Sequence, residues 1–309
     1  MANQNTIKNE FELWGIEPYG GNRVRVTISP AEEDSGIVFS TSKGDLKAEL
    51  SKESQYKSAI LLADENNEVL HIEHLLATLF AYGIDNARVS LEREASRSYR
   101  WLDSMGFATD IDVVPNFEGE TYGLCEKLDG NLQEQESPRN LLTFDQTIGD
   151  LESDRITIED NVNSGLIVAA TTRYPILGEQ SLSIQVDGKT YKEEIARSRP
   201  YSKHLKRLPV WVRSCAAAIM NPSFGLGHGF DPEENVLLPI RNKGDLYRAR
   251  RHYAAGDEPV RHTIMDRLGA LALLPGRLED VKVTAQFSGH ANDIAFLSHA
   301  LTYLKTNKG

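Results

Sequence analysis

The stretch from His71 to Phe80 reads His-Ile-Glu-His-Leu-Leu-Ala-Thr-Leu-Phe, and it decides the reading of the whole chain. After Glu73 its apolar residues recur at helical spacing, and Gly83 follows as a typical helix end. The predicted helix therefore begins with a carboxylate and an imidazole, at Glu73 and His74. Such groups at the start of a helix are ordinarily solvated or structural, so a functional interpretation needs a second set of residues elsewhere.

A second stretch, Val-Arg-His-Thr-Ile-Met-Asp at 260–266, supplies that set. His262 and Asp266 are four residues apart, so a helix places both side chains on one face. Together with His74 they provide two imidazoles and a carboxylate, and Glu73 adds a base. An open catalytic zinc site consists of three such ligands and a base for water. Because no His-Glu-x-x-His pattern is present, the residues alone leave a zinc site and a structural role equally open.

Composition excludes several classes of protein. The 309 residues carry 34 Lys and Arg against 45 Asp and Glu, a net charge of −11, which argues against non-specific nucleic-acid binding. The two cysteines are far apart, which indicates a reducing compartment and no disulfide framework. No apolar run approaches the roughly 20 residues of a membrane span, and the N-terminus lacks a signal peptide pattern. We therefore expect a cytoplasmic protein without stable membrane insertion.

Strand and helix patterns are mixed without a regular βαβ rhythm, which favours the α+β class. A polar segment at 126–138 has linker composition, so we predict a first α+β domain at 1–125 and a second at 139–309. The clearest period-two strand is 23–30, and the clearest late helix opens at Pro259. Further strands are predicted at 86–91, 155–158, 165–172, 181–186 and 281–287, and further helices at 190–197 and after 290.

Three segments, in order along the chain, carry a family resemblance. Glu73 to Leu79, continued by Gly83 to Ala87, resembles the first signature of the UDP-3-O-acyl-N-acetylglucosamine deacetylases, the zinc amidases of lipid A synthesis. Arg261 to Gly269 resembles their second signature, and Ser288 to Asn292 resembles their third. Weaker matches lie between these segments, so the resemblance covers nearly the whole chain.

The resemblance implies a fold of two similar sheet-plus-helices domains, with helices packed between the two sheets. It also implies removal of the N-acetyl group of an amino sugar, most simply a UDP-linked 3-O-acyl-N-acetylglucosamine. Glu73 would accept a proton from water, while His290 and the Ser198 hydroxyl would stabilise the oxyanion, and His290 would help the amine to leave. The implied ligands of zinc, with iron(II) as an alternative, are His74, His262 and Asp266.

The chain departs from the family around its catalytic histidine. Family members carry an acidic residue four positions after the zinc aspartate, where this chain has Ala270. Without that carboxylate, the imidazolium form of His290 should be less populated and the activity optimum should lie at lower pH. This expectation fails if another acid, such as Asp293 or Asp103, takes its place.

Substrate recognition also differs from the family. Thr263 replaces a family lysine, and Arg199 replaces a phenylalanine. We therefore predict that Arg197, Arg199 and Thr263 bind the substrate, and that Arg197 and Arg199 contact its phosphates together with Arg248, Arg250 and Arg251. The alternative is that these arginines only form a solvated basic loop. An insert near 199–225 is rich in apolar residues and is predicted to line a passage for an acyl chain.

Three functions therefore remain open from sequence. The first is deacetylation of an acylated, nucleotide-linked amino sugar by a monomeric enzyme. The second is the same hydrolysis on another amidated metabolite. The third is a weakly active or inactive relative that binds a sugar nucleotide, which the loss of an acid at Ala270 keeps open.

Overall fold

A computed structural model describes residues 2–18, 22–50, 55–56, 59–94, 111–149, 155–160, 164–174, 178–200, 253 and 257–307. Among these residues, no helix is both long enough and apolar enough to cross a membrane. The predicted insert near 199–225 and the cations at 248–251 lie almost wholly outside the described residues.

The described residues of the first part of the chain are mostly strand, with two helices among them. Its elements are β1 (Asn3–Ile7), β2 (Phe11–Ile16), β3 (Arg23–Pro30), β4 (Ile37–Thr41), β5 (Gly44–Lys47), β6 (Gln55–Tyr56), β7 (Ala59–Ala63), β8 (Glu68–Leu70), α1 (Glu73–Ala81), β9 (Ala87–Glu94), β10 (Asp112–Val113), β11 (Asn116–Phe117) and α2 (Tyr122–Leu128).

In the second part, the residues that the structure describes form strands and three helices. Its elements are β12 (Leu132–Pro138), β13 (Leu141–Leu142), β14 (Ile148–Gly149), β15 (Ile156–Asp160), β16 (Ile167–Tyr174), β17 (Gly178–Gln185), α3 (Gly188–Glu194), α4 (Glu258–Leu271), β18 (Arg277–Leu278), β19 (Val281–Gln286) and α5 (His290–Asn307).

Two larger sheets organise these strands, and they share one topology. The first has the order β11-β2-β3-β9-β4-β5, and the second has the order β14-β15-β19-β16-β17. In each sheet, two antiparallel strands (β2 and β3, or β14 and β15) lie beside a central strand, β9 or β19, which is antiparallel to the nearer of them. On its other side the central strand runs parallel to the first strand of a second hairpin (β4 and β5, or β16 and β17). The order β2-β3-β9-β4-β5 is therefore repeated by β14-β15-β19-β16-β17, which confirms an α+β fold of two similar units.

The helices α1 and α4 lie between the two units. Every residue of α1 is buried, and so is every residue of α4 except Asp266. A helix buried on all sides must be covered by other elements around its whole circumference. One continuous hydrophobic core joins both sheets to these helices, running from Val26 of β3 through Leu76 and Leu268 to Val283 of β19. The expected placement of helices between the sheets is thus confirmed.

The sequence pattern located the long elements well. Strand β3 spans the predicted 23–30, with Val24, Val26 and Ile28 buried on one face. Helix α1 ends before Gly83, whose φ of 71° is the left-handed conformation that a glycine adopts readily. Helix α3 begins a little earlier than predicted because Asp187 caps it, accepting a hydrogen bond of 2.7 Å from the Thr190 amide.

The predicted linker at 126–138 contains the end of α2 and then β12. Strand β12 pairs with β1 in an antiparallel two-stranded sheet, although most of its residues are exposed. The segment therefore crosses between the two units as an ordered strand. The domain limits at 1–125 and 139–309 stay a prediction.

Candidate metal centre

The two buried helices bring the predicted ligands together because their backbones almost touch. A Cβ added to Gly269 of α4 would lie 2.1 Å from the carbonyl oxygen of Glu73, at the start of α1. Only a glycine permits this approach. It places His74, the second residue of α1, opposite His262 and Asp266 on α4, and the ligand atoms of these three residues lie within 4.8 Å of one another.

The carboxylate of Asp266 lies between the two imidazoles. Its Oδ1 is 3.4 Å from Nε2 of His262 and 3.6 Å from Nε2 of His74, and it has no hydrogen-bond partner among the described residues. Two ligand atoms bound to a tetrahedral Zn²⁺ at about 2.0–2.1 Å are about 3.3 Å apart. The spacing therefore exceeds a good hydrogen bond and is close to that of ligands sharing one metal ion.

Both imidazoles are oriented by groups that bind their other nitrogen. Nδ1 of His262 is 2.8 Å from the main-chain carbonyl oxygen of Ser198. Nδ1 of His74 is 3.5 Å from Oε2 of Glu120, whose side chain is 1% exposed. A partner at Nδ1 fixes the ring and leaves Nε2 to bind a metal, as in histidine ligands generally. The residues present thus fit a metal ion.

Proton affinities agree with this arrangement. Burial would lower the pKa of His74, but the carboxylates of Asp266 and Glu120 raise it to about 10. Burial would raise the pKa of Asp266, yet the neighbouring imidazoles of His262, His290 and His74 hold it well below its usual range. Without a metal the site therefore holds protons tightly, and a bound cation takes their place.

A second cluster of possible ligands adjoins the first. His71, Glu73 and His74 also have ligand atoms within 4.8 Å of one another. His71 has a left-handed φ of 64°, its Nδ1 is 2.9 Å from the Val114 carbonyl, and burial lowers its pKa. The two clusters share His74, so two ions cannot each have a complete set.

Glu73 lies beside the ligands with its carboxylate buried. It is 1% exposed, and its Oε2 accepts a hydrogen bond of 3.1 Å from the Ile60 amide. Its negative charge contributes to the raised pKa of both His74 and His290. The structure thus groups Glu73 electrostatically with His74 and with His290 from the far end of the chain.

His290 begins α5 and has a carboxylate neighbour in spite of Ala270. Its Nδ1 is 3.6 Å from Oδ2 of Asp293, one helical turn later. Burial lowers the pKa of His290, but Asp266, Asp293 and Glu73 raise it to about 9. Asp293 is thus an acid beside His290 of the kind that the sequence left open, and the expected loss of the imidazolium form does not follow from Ala270. Asp103, the other candidate, lies outside the described residues.

The remaining predicted residues are close to the centre, but most are engaged elsewhere. The Ser198 hydroxyl is fully buried and donates to the Ile195 carbonyl at 2.7 Å. Arg199 is 1% exposed and binds Glu258, with Nε 2.7 Å from Oε1. Thr263 is buried and donates to the Pro259 carbonyl at 3.0 Å. Only Arg197 is partly exposed, with its guanidinium 3.3 Å from the Tyr122 ring centroid.

Sequence reasoning missed the groups that hold the ligands. Glu120 lies in the turn between β11 and α2, with a left-handed φ of 55°, and nothing in its local pattern distinguishes it from other acids. The Ser198 carbonyl is a main-chain group, which no residue pattern reveals. Asp293, by contrast, was already a candidate acid from the sequence, and it stands three residues after His290 on the same helical face.

The chain matches known proteins over most of its length. Residues 4–302 match the sequence profile of the UDP-3-O-acyl N-acetylglycosamine deacetylases. The UDP-3-O-acyl-N-acetylglucosamine deacetylase of Helicobacter hepaticus is 29% identical over 279 residues, covering 88% of this chain and 81% of the relative. The enzymes of the same name from Nautilia profundicola and Campylobacter lari are 28% and 27% identical, covering 97% and 99% of this chain and 90% and 91% of the relatives. The chain therefore belongs to the UDP-3-O-acyl N-acetylglycosamine deacetylase family.

Proposed function

We propose that this protein is a metal-dependent amide hydrolase that removes the N-acetyl group of a UDP-linked 3-O-acyl-N-acetylglucosamine or a closely related amino sugar. The names of its relatives supply the substrate class. The observation that carries the proposal is the convergence of the His74 and His262 Nε2 atoms on Oδ1 of Asp266, beside Glu73 and His290.

The proposed ligands are His74, His262 and Asp266. Two imidazole nitrogens and one carboxylate oxygen suit Zn²⁺, and iron(II) is the alternative that accepts the same donors. This set is preferred to His71, Glu73 and His74 because the Glu73 carboxylate already accepts the Ile60 amide and is needed as a base. When bound, the ion supplies Lewis acidity, making water more acidic and drawing electrons from an amide carbonyl.

In the proposed reaction, Glu73 accepts a proton from the attacking water, because it is a buried carboxylate next to the ligands. His290 is proposed as the cationic group, because the carboxylates of Asp266, Asp293 and Glu73 raise its pKa and so favour the imidazolium form. It stabilises negative charge on the amide oxygen and then gives its proton to the departing nitrogen. Acetate and a free amino sugar result.

Ser198 has two proposed roles of different standing. Its main-chain carbonyl orients His262, which the 2.8 Å contact with Nδ1 supports. Its hydroxyl can stabilise the oxyanion only after leaving the Ile195 carbonyl, to which it donates at 2.7 Å. The orienting role is therefore the better supported of the two.

For the phosphates of the substrate we favour Arg197 over Arg199 and Thr263. Arg197 is partly exposed and keeps its charge available above Tyr122, whereas Arg199 is already neutralised by Glu258 in the interior. Binding of a UDP-sugar should weaken with rising salt and on Arg197→Ala. A monomeric state and a cytoplasmic location remain predictions from the sequence.

An amine-release assay on purified protein tests the proposed function. UDP-N-acetylglucosamine is supplied with and without a 3-O-acyl chain, to the protein as isolated, after chelation, and after zinc or iron(II) is returned. We expect release of acetate and a free amine, loss on chelation, and recovery with metal. His74→Ala should hold at least about tenfold less metal and should not recover.

Two results would contradict the proposal. Full activity after complete removal of metal would exclude the assigned chemistry. No amine release from either sugar by fully metal-loaded protein would instead favour an inactive relative or another amide substrate. An equal rate on the acylated and unacylated sugars would keep the chemistry but would remove the predicted acyl passage.

A further inference from the structure

His290 has an acidic partner on its own helix. It is the first residue of α5, and Asp293 lies in the same first turn, where the partial positive charge of the helix end stabilises a carboxylate. Oδ2 of Asp293 is 3.6 Å from Nδ1 of His290, and neither atom has a hydrogen-bond partner among the described residues. Each is therefore the available partner of the other.

The other oxygen of this carboxylate is held from a different helix. Nη1 of Arg267, on α4, binds Oδ1 of Asp293, and both side chains are only 2% exposed. The same Nη1 lies 3.3 Å from Oγ of Ser288. A buried cation and anion are retained only when each compensates the other, so the pair fixes the position of the Asp293 carboxylate.

Arg267 also couples this arrangement to the metal centre. It directly follows Asp266 in α4, whose side chain lies between the two ligand histidines. The three groups Arg267, Asp293 and His290 therefore form a chain of contacts from the ligand helix α4 to the imidazole on α5. Such a chain fixes the distance between an acid–base group and the reacting centre.

We propose that Asp293, clamped by Arg267, is the positioning residue of His290. Its carboxylate accepts the Nδ1 hydrogen, holds the ring in one orientation, and leaves Nε2 as the nitrogen that meets the substrate. The inference rests on the proposed function, since His290 is taken as its acid. It adds the pair of Asp293 on α5 and Arg267 on α4, which provides the acidic support for His290 that Ala270 lacks.

The test compares Asp293→Asn with Asp129→Asn. The first removes the charge beside His290 but keeps the shape; the second makes the same chemical change in an exposed carboxylate that binds Lys192. For Asp293→Asn we expect kcat to fall about ten- to hundredfold, the loss typical of a supporting partner, with KM within about threefold and metal content unchanged. Asp129→Asn should keep the wild-type kcat.

A second variant covers the case in which Asp293→Asn does not fold, because Arg267 would then be buried without a counter-charge. The double variant Arg267→Met/Asp293→Leu replaces the ion pair by apolar side chains of similar volume, which buried sites often accept. It should fold, bind metal and show the same loss of kcat. Asp293→Glu, which keeps the carboxylate, should retain more activity than Asp293→Asn.

A spectroscopic readout separates this inference from the proposed function. Nitrogen-15 spectra recorded at a pH where the His290 ring is neutral should show its hydrogen on Nδ1 in the wild type and a changed tautomer mixture in Asp293→Asn. Wild-type kcat in Asp293→Asn, or loss of metal together with kcat, would overturn the positioning role. Absence of amine release by the wild type would instead refute the proposed function, and the spectra would still decide where the Nδ1 hydrogen goes.

Discussion

The two units of this protein have the same strand order but different chemical contents. In the first, β2-β3-β9-β4-β5 is accompanied by α1, which carries Glu73 and His74. In the second, β14-β15-β19-β16-β17 is accompanied by α4 and α5, which carry His262, Asp266 and His290. The two sheets thus share one strand order, whereas the helices of the two units contribute different residues to the proposed centre.

This difference shows that neither unit can form the centre alone. The first unit contributes one ligand and the base, while the second contributes two ligands and the acid. The complete set exists only where α1 and α4 meet, at the close contact between Gly269 and the Glu73 carbonyl. The proposed function therefore depends on the interface between the units, and variants in either unit can test it.

The largest expected effects are on turnover, and metal content distinguishes the proposed base of the first unit, Glu73, from a proposed ligand of the second, Asp266. Glu73→Gln should lower turnover about a thousandfold, within the usual range for a general base, while metal content stays near that of the wild type. Asp266→Asn should lose both turnover and most of the metal, because the carboxylate is a ligand. Metal analysis and amine release on the same preparations provide the measurement.

The control for both variants is Asp129→Asn, which should change neither quantity. If Glu73→Gln loses the metal as Asp266→Asn does, then Glu73 is a ligand and the cluster with His71 is the occupied one. The assignment of one base and one ligand to the first unit would then be wrong.

The second prediction concerns the contact between the units. A Cβ at position 269 would overlap the Glu73 carbonyl oxygen at 2.1 Å and its carbonyl carbon at 2.7 Å, both of which are backbone atoms. Gly269→Ala should therefore push α1 and α4 apart, lower the free energy of unfolding by roughly 2–3 kcal/mol, and weaken metal binding. Denaturant unfolding with and without metal measures both effects.

Gly123→Ala is the matched control, because it makes the same substitution in α2 without such a contact. Apart from its chain neighbours and its own helix backbone, no heavy atom of the described residues lies within 4 Å of the added Cβ there. In a helix, alanine is favoured over glycine by roughly 0.5–1 kcal/mol, so this variant should be slightly more stable than the wild type. Equal effects of the two substitutions would mean that the contact between the units does not limit stability.

The same comparison explains how much could be predicted from sequence. The ligand helices α1 and α4 were predictable because helical period and i,i+4 spacing are local patterns. Strand β7 was not, because its five residues Ala59–Ala63 are all buried, and a short apolar run does not distinguish strand from helix. The residues of strand β12 are polar and so predict a linker, because the pairing of this strand with β1 is non-local and leaves most of its residues exposed.

The candidate site divides in the same way. His74, His262, Asp266 and Glu73 were identified from local spacing and family signatures. Their supports were not, since Glu120 reaches His74 from 46 positions away in the chain and the contact at His262 is a main-chain carbonyl. The supporting groups are set by the packing of the two units, which single-sequence patterns do not encode.

The third prediction is a pH dependence of metal binding. In the metal-free protein the pKa of His74 is raised to about 10, so its imidazole must lose a proton before it binds metal. The apparent affinity for Zn²⁺ should therefore rise with pH from about 6 to 9, by about tenfold per unit for each proton displaced. The free energy of unfolding of the metal-free protein should change in the opposite direction. The raised pKa of His74 stabilises the fold below pH 6.5, and this contribution is lost as the pH rises towards 10.

Glu120→Gln sharpens that test from the side of the first unit. It removes one of the carboxylates that raise the pKa of His74, so protons should compete less strongly with the metal for this imidazole. The affinity for Zn²⁺ should therefore stop rising at a lower pH than in the wild type. Competition between the protein and a chelating dye at several pH values measures the affinity. An affinity that does not change between pH 6 and 9 would contradict protonation of His74 in the metal-free state.

The smallest predicted effect contrasts how the two units start their helices. Helix α3 has a side-chain cap, since Asp187 accepts a hydrogen bond of 2.7 Å from the Thr190 amide. The N-cap residue of α1 is Ile72, which offers no side-chain cap, and the first turn of α1 carries Glu73 and His74. Asp187→Ala should lower the free energy of unfolding by about 1 kcal/mol, as loss of a cap does, and should leave metal affinity and kcat unchanged.

Glu159→Ala, at an exposed ion pair with Lys282, should change stability by less than about 0.5 kcal/mol and serves as the control. If Asp187→Ala also weakened metal binding, the second unit would stabilise the centre through α3 as well, and the assignment of the centre to α1, α4 and α5 would have to be extended.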